Sequence, residues 1–311
     1  MPIRLDGKQV RDAILASLRP RIAALEKTEI TPGLAVVLAG EDPASEIYVR
    51  HKVKACEDLG IYSEKHLLPA GVTSEELLLL IRSLNSHPRI DGILVQLPLP
   101  GQVDEREILM AIHPSKDVDG FHPMNAGNLM TGLPGFRPCT PAGIMRMLEH
   151  YNIPVSGRRA VVIGRSNIVG KPMAMMLLEA NATVTICHSK TVGLAEECRR
   201  AHIVVAAIGR AGFVTPDFVN PEAAVIDVGM NRLHDRESVA RIFEGNEKKL
   251  ADFASKGAVL VGDVHPAVFR NCAAYSPVPG GVGLLTIAML MSNTVESAER
   301  RLARRGGTPI S

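Results

Sequence analysis

Several short stretches of this chain are apolar almost without interruption: LAVVLAG (34–40), IDGILVQL (90–97), RAVVIG (159–164), IVVAAIG (203–209) and AVIDVG (224–229). A strand with one face in water alternates apolar and polar residues. Unbroken runs of this length suit strands covered on both faces, as in parallel sheets flanked by helices. The segments between them have the matching character. Val10, Ile14, Leu18, Ile22 and Leu25 recur at helical spacing until Pro32-Gly33. A second helix is expected from Pro43 to about Gly60, and Thr73-Ser-Glu-Glu76 reads as a capping box opening a third, through Leu84. A short helix over 104–112 precedes a long loop, KDVDGFHPMNAGNLMTGLPGF (116–136).

At Cys139 the pattern restarts, with Thr140 as a helix cap and Pro141 in its first turn. Strands and helices then alternate: RAVVIG, a helix from Pro172, TVTICH (183–188), a helix over 194–201, IVVAAIG and AVIDVG. Four such units predict a doubly wound parallel sheet of Rossmann type. A polar segment (234–257) leads to AVLVGD (258–263), and a long helix is expected from Val282 to Arg305. The fold class is therefore α/β with two domains. An N-terminal α/β domain spans 1–138, a Rossmann-like domain spans 139–283, and the helix 284–311 is expected to return to the first.

The 311 residues exceed what one compact core usually holds. At 46% hydrophobic and 22% charged, the chain is neither disordered nor fibrous. A net charge of +2 gives no reason to expect a nucleic-acid partner, and Arg300, Arg301, Arg304 and Arg305 read as a solvated helix end. Five cysteines without a CxxC pair argue against a disulfide framework or zinc site and fit a cytoplasmic protein. The N-terminus lacks a signal peptide's apolar core, and Leu284–Met291 is too short to span a bilayer.

Between RAVVIG and the next helix lies Gly164-Arg-Ser-Asn-Ile-Val-Gly170. Such a turn aims backbone N–H groups and a helix N-terminus at a phosphate, although it is not GxGxxG and an ordinary βα turn has the same look. The following strand ends in Cys187-His188-Ser189-Lys190 with no carboxylate for a ribose hydroxyl. With Arg165 in the turn, these groups suit a 2′-phosphate and favour NADP over NAD; His188 and Lys190 are otherwise surface residues.

Tyr48 and Lys52 share a helix face, a turn beyond Ser45, beside the apolar stripe of Val49, Val53 and Cys56. A lysine there can lose charge by desolvation and handle protons, or simply snorkel. Gln96 ends a buried strand, the edge at which α/β sheets bind ligands. Asp117 and Asp119 open the long loop; a carboxylate can grip an aminopyrimidine edge or cap a turn. The glycines of Pro277-Val-Pro-Gly-Gly-Val-Gly283 allow close backbone approach to a ligand, as they would in a plain loop.

Taken together, SEIYVRHKVKAC (45–56), DGILVQLPLP (91–100), KDVDGFHP (116–123), RPCTPAGI (137–144), VVIGRSNIVGKPM (161–173), TICHSKT (185–191), VIDVGMNR (225–232), VGDV (261–264) and PVPGGVG (277–283) resemble one family, in its order and over nearly the whole chain. That family is the bifunctional methylenetetrahydrofolate dehydrogenase/methenyltetrahydrofolate cyclohydrolase. The resemblance implies two reactions in one cleft between the domains: NADP-dependent oxidation of 5,10-methylenetetrahydrofolate, then hydrolysis of the methenyl cation to 10-formyltetrahydrofolate. It implies that Lys52 is the key group of the hydrolysis, that Gln96 tunes it, that Tyr48 stacks on the folate and that Asp119 holds the pterin. Val95, Leu97 and the loop residues Pro279, Gly280, Gly281, Val282 and Gly283 would complete the folate site. Thr140, Gly164, Arg165, Ser166, Ile168, His188, Ser189, Gly209 and Met230 would take the NADP. A homodimer joined through the cofactor domain, with no metal, is implied as well.

Two departures stand out. Leu284 occupies the place of the family's proline after PGGVG, and the stretch between Asn231 and Val261 is longer than in many members by roughly a dozen residues. The second predicts an added surface helix. Competing readings are a dehydrogenase that has lost the hydrolytic step, a non-catalytic folate- or nucleotide-binding relative, and an amino-acid dehydrogenase. Retention of Tyr48, Lys52, Gln96 and the glycine turn speaks against the first two. The pairing of QLPLP with PVPGGVG speaks against the third.

Overall fold

The computed structural model describes residues 1–305. In chain order it contains β1 (Ile3–Arg4), α1 (Gly7–Glu26), β2 (Gly33–Ala39), α2 (Pro43–Leu59), β3 (Tyr62–Leu68), α3 (Ser74–Ser86), β4 (Gly92–Val95), α4 (Glu105–Ala111), α5 (Pro123–Thr131) and α6 (Cys139–His150). Then follow β5 (Arg159–Ile163), α7 (Gly170–Glu179), β6 (Thr183–Cys187), α8 (Leu194–Arg199), β7 (Ile203–Ala206), β8 (Ala224–Asp227), β9 (Asn231–Leu233), α9 (Arg236–Ile242), α10 (Glu247–Lys256), β10 (Val259–Val261), β11 (Ala274–Tyr275) and α11 (Leu285–Arg305). Two compact units result. One holds Met1–Val10 and Thr140–Thr286, and the other holds Arg11–Cys139 and the described residues from Ile287.

The second unit is built on a parallel sheet of order β3-β2-β4. Every residue of β2 is buried, and its period of two divides them between two cores. Leu34, Val36 and Leu38 meet Leu18, Ile22 and Leu25 of α1, Val49 and Cys56 of α2, and Leu290, Met291, Val295 and Ala298 of α11. Ala35, Val37 and Ala39 meet Leu77, Ile81 and Leu84 of α3 and Ile108 of α4. The capping box closes α3: the Glu76 amide donates to Thr73 Oγ1, and the Thr73 amide donates to the Glu76 carboxylate.

Residues 116–136, read as a loop, contain α5. Pro123 follows the extended His122, and Gly132 at φ 71° ends the helix, the start and stop signals of a short helix. Thr140 lies inside the first turn of α6 instead of capping it, because that helix begins at Cys139.

The first unit carries a six-stranded sheet of order β1-β11-β8-β7-β5-β6, parallel throughout. Residues 1–10 cluster with this unit. Ile3 and Arg4 pair with Ala274 and Tyr275 of β11, and the amides of Ile3 and Leu5 donate to Ala273 O and Tyr275 O. The segment 234–257 forms two helices, α9 and α10. Together with the antiparallel pair β9-β10 they make a small core of Val239, Ile242, Phe243, Val259 and Val261. The closing helix starts at Leu285, after a 3-10 turn over Val282–Leu284. Its expected continuation over 306–311 lies outside the described residues.

Candidate active site

In the unit containing Lys52, α2 is opened by Asp42, whose carboxylate accepts the Ser45 amide, and Pro43 sits in its first turn. Its apolar stripe is pulled into the core at Val49 and Cys56, which carries Lys52 inward while Tyr48 stays 38% exposed. Lys52 is only 8% exposed, and its Nζ donates to Gln96 Oε1 at 2.8 Å. Gln96 sits where β4 ends: its amide donates to Val37 O of β2, and Nε2 donates to Leu97 O at 2.7 Å. The side-chain orientation is self-consistent, since a flipped amide would set NH₂ against the ammonium. Val95 turns its side chain into the core, so only its backbone can meet a ligand, and Leu97 is half-buried.

Asp117 organises the neighbouring loop. Its carboxylate accepts the amides of Phe121 (3.2 Å) and His122 (2.8 Å) and the Asn125 Nδ2 (2.8 Å). Burial, opposed by these donors, pushes its carboxyl up to about 6. From α11, Asn293 Nδ2 donates to Val118 O at 2.7 Å and Arg137 O at 3.2 Å. Asp119, the residue after Val118, interacts with the Lys52 charge and hydrogen-bonds with the Cys139 thiol. Burial lowers the Lys52 amine below its ordinary value, opposed by Asp119, and raises the Asp119 carboxyl, opposed by Lys52. Both groups are pushed toward their neutral forms, and each resists through the charge of the other.

In the other unit, Gly164 follows β5 at φ 126°, and a Cβ there would lie 2.2 Å from Ala207 O. Gly170 is equally confined, with Gly164 O 2.3 Å from its missing Cβ. The turn between is closed by Ser166, whose Oγ accepts the amides of Val169 and Gly170 at 3.2 Å, and whose carbonyl accepts the Lys171 amide. The first amides of α7 are therefore occupied, not free as the sequence suggested. The Ser166 hydroxyl proton can still donate outward. Arg165 and Ile168 are exposed around the turn.

After β6, His188 and Thr191 close a tight turn that leaves Ser189 and Lys190 exposed. The His188 amide donates to Thr191 Oγ1, and the Lys190 amide donates to His188 Nδ1. Gly209 follows β7 at φ 65°, with open space where a Cβ would stand. Met230, beyond β8, is 46% exposed, and its Sδ lies 3.2 Å from the position of a Cβ on Gly283. In Pro277–Gly283, Gly280 has φ 102°, and a Cβ on Gly281 would strike Pro277 O at 2.5 Å. The amide of Gly7, the first residue of α1, donates to Gly280 O at 2.8 Å. Thr140 and Thr286 share a 3.0 Å hydroxyl contact.

The structure thus brings together Lys52, Gln96 and Asp119 in one unit. It sets Gly164, Arg165, Ser166, His188, Ser189, Gly209 and Met230 after parallel strands of the other. The supports at Asn125, Cys139, Asn293 and Gly7 were not singled out from sequence; a polar residue inside an apolar helix face, as at Asn293, is the signal that marks one of them. Among the described residues there is no group of three His, Cys, Asp or Glu placed to hold a metal, and no helix long and apolar enough to cross a membrane.

Residues 5–119 match the catalytic domain of tetrahydrofolate dehydrogenase/cyclohydrolase, and residues 138–302 match its NAD(P)-binding domain. A bifunctional protein FolD of Solibacter usitatus (strain Ellin6076) is 60% identical over 302 residues, covering 97% of this chain and 99% of that protein. The crystal structure of bifunctional FolD from Campylobacter jejuni aligns at TM-score 0.88 and 44% identity over 97% of this chain and 100% of that one. FolD of Trypanosoma brucei, solved with an NADP cofactor and an inhibitor, aligns at TM-score 0.86 and 36% identity over 97% and 98%. This chain belongs to the tetrahydrofolate dehydrogenase/cyclohydrolase family.

Proposed function

We propose that this chain oxidises 5,10-methylenetetrahydrofolate with NADP⁺ and hydrolyses the resulting methenyl cation to 10-formyltetrahydrofolate. The observation that carries this reading is the buried Lys52 amine, hydrogen-bonded to Gln96 and beside Asp119. Hydrolysis of the cation adds water and releases one proton. An amine held below its ordinary pKa can accept that proton, and the Gln96 oxygen keeps its lone pair and protons oriented. In this reading Asp119 binds the pterin, and because the Lys52 charge opposes the burial that pushes its carboxyl toward the neutral form, substrate binding is tied to the state of the amine. Tyr48, exposed one turn before Lys52, offers a ring face to the folate. Gly280 and Gly281 give the folate a side-chain-free stretch of backbone.

NADP⁺, when bound, supplies the acceptor for the hydride that leaves the methylene carbon. The residues present fit this cofactor: the parallel strand ends present a glycine turn, and the exposed Arg165, Ser189 and Lys190 suit the 2′-phosphate with no acidic residue at the end of β6. Thr140 and Ile168 belong to the same proposed site. The reading extends to a homodimer through the cofactor unit, supported by β6, an edge strand with Ile186 exposed. It extends also to the cytoplasm, in keeping with five free cysteines. The test is to supply methylenetetrahydrofolate with each nicotinamide cofactor and follow reduced cofactor and formyl product separately. The reading requires both products with NADP⁺ and a clear preference for NADP⁺ over NAD⁺; a single product, or equal use of both cofactors, overturns it.

A further inference from the structure

The motif VGDV has no assigned role, yet its aspartate is the most heavily engaged carboxylate of the cofactor unit. Asp263 is fully buried. Its Oδ2 accepts the amides of Ile208 (2.7 Å) and Gly209 (2.9 Å), and its Oδ1 accepts the Arg210 amide (2.8 Å) and Asn231 Nδ2 (2.9 Å). A carboxylate offers about four acceptor positions, and neutral donors fill all of them. A second buried acid locks the arrangement. Asp227 accepts the amides of Gly229, Asp263 and Val264. The backbone passes both acids so closely that side chains are barred: a Cβ on Gly229 would lie 2.4 Å from Asp263 Oδ1, and one on Gly262 would lie 1.7 Å from Asp227 Oδ2.

The two loops hung from Asp263 are those that carry Gly209 and Met230. Their place in the sheet says which end of the cofactor they meet. Across β6-β5-β7-β8 the strand ends carry, in turn, Ser189, the glycine turn, Gly209 and Met230. Three strand spacings amount to about 14 Å. With the 2′-phosphate over β6 and the pyrophosphate at the β5 turn, the nicotinamide half falls over β7 and β8. Met230 also lies against Gly283 of the proposed folate loop.

We infer that Asp263 is a positioning residue for the nicotinamide half of the cofactor, fixing the 208–210 and 229–231 loops by a four-donor clamp without touching the cofactor itself. This rests on the NADP reading above. An amide at this position puts an NH₂ group against backbone donors and loosens both loops.

The test measures Asp263→Asn against two ligands, NADP⁺ and adenosine 2′,5′-bisphosphate, which lacks the nicotinamide half. The expected result is NADP⁺ affinity weakened about tenfold or more, bisphosphate affinity unchanged, and hydrolysis of methenyltetrahydrofolate, which consumes no cofactor, retained. Unchanged NADP⁺ affinity, or equal weakening of both ligands, overturns the inference. Should Asp263→Asn fail to fold, Asn231→Ala removes one donor and decides: weaker NADP⁺ with unchanged bisphosphate supports the clamp, and any other pattern refutes it. Failure of the unaltered chain to reduce NADP⁺ would refute the functional reading instead.

Discussion

A lysine on an exposed helix face is a solvated cation; at position 52 the packing of Val49 and Cys56 on the same helix turns it into a buried amine with one amide partner. Periodicity put Tyr48 and Lys52 on one helix face and Gln96 at the end of an apolar run, but their proposed roles came from the family resemblance, since spacing alone fitted plain packing as well. Asp117 was open to reading as a turn cap, and it takes the nearby Phe121 and His122 amides. Asn293 was not legible, because its bond to Val118 O joins residues that sequence spacing does not bring together. Arg165 gives the cleanest test at this scale. Arg165→Ala should weaken NADP⁺ on the order of 10- to 100-fold, the worth of one charge-assisted hydrogen bond of about 1.5–3 kcal/mol, and weaken NAD⁺ far less. Titration of both cofactors checks it, and equal losses would make Arg165 a structural residue.

Elements were readable where one pattern ran long enough. The apolar runs became β2, β4, β5, β7 and β8, and Thr73–Glu76 became a capping box. The strand β3 was missed because Ser63, Glu64, Lys65 and His66 break any apolar run; it is an edge, where charge is tolerated and guards against further pairing. The two-residue strands β1 and β11 are too short to show a period, and exist through pairing alone. At the start of α11, the Leu284 amide does have a partner: it donates to Gly281 O at a long 3.3 Å inside the 3-10 turn. Leu284→Pro loses that weak bond and gains a stiffer unfolded chain, effects of about 0.4–1 kcal/mol each way. The variant is expected to fold with a melting temperature within a few degrees of the parent and to keep both activities. Thermal unfolding with paired assays is the check; collapse would mean that Leu284 has a φ that proline cannot adopt.

On the scale of the whole molecule, the chain divides its chemistry as it divides its core. Under the proposed reading, proton handling falls to the unit with Lys52, Gln96 and Asp119, and the nucleotide turn to the unit with β5 and β6. The strand–helix pattern restarts in sequence at Cys139, while residues 1–10 are tied to the far end of the chain by a two-residue pairing that no periodicity announces. The central claim is that one molecule performs two reactions and that Lys52 serves chiefly the second. Hydrolysis should rise with pH as the amine loses its proton, with a midpoint below the ordinary 10.5, because burial lowers the value. The most direct measurement is therefore the rate of each reaction in the Lys52→Met protein, with the methenyl compound supplied for the second. The account predicts hydrolysis reduced by at least about 100-fold with its pH dependence gone, while hydride transfer, which depends chiefly on positioning, falls less. Full hydrolysis by the Lys52→Met protein would contradict it.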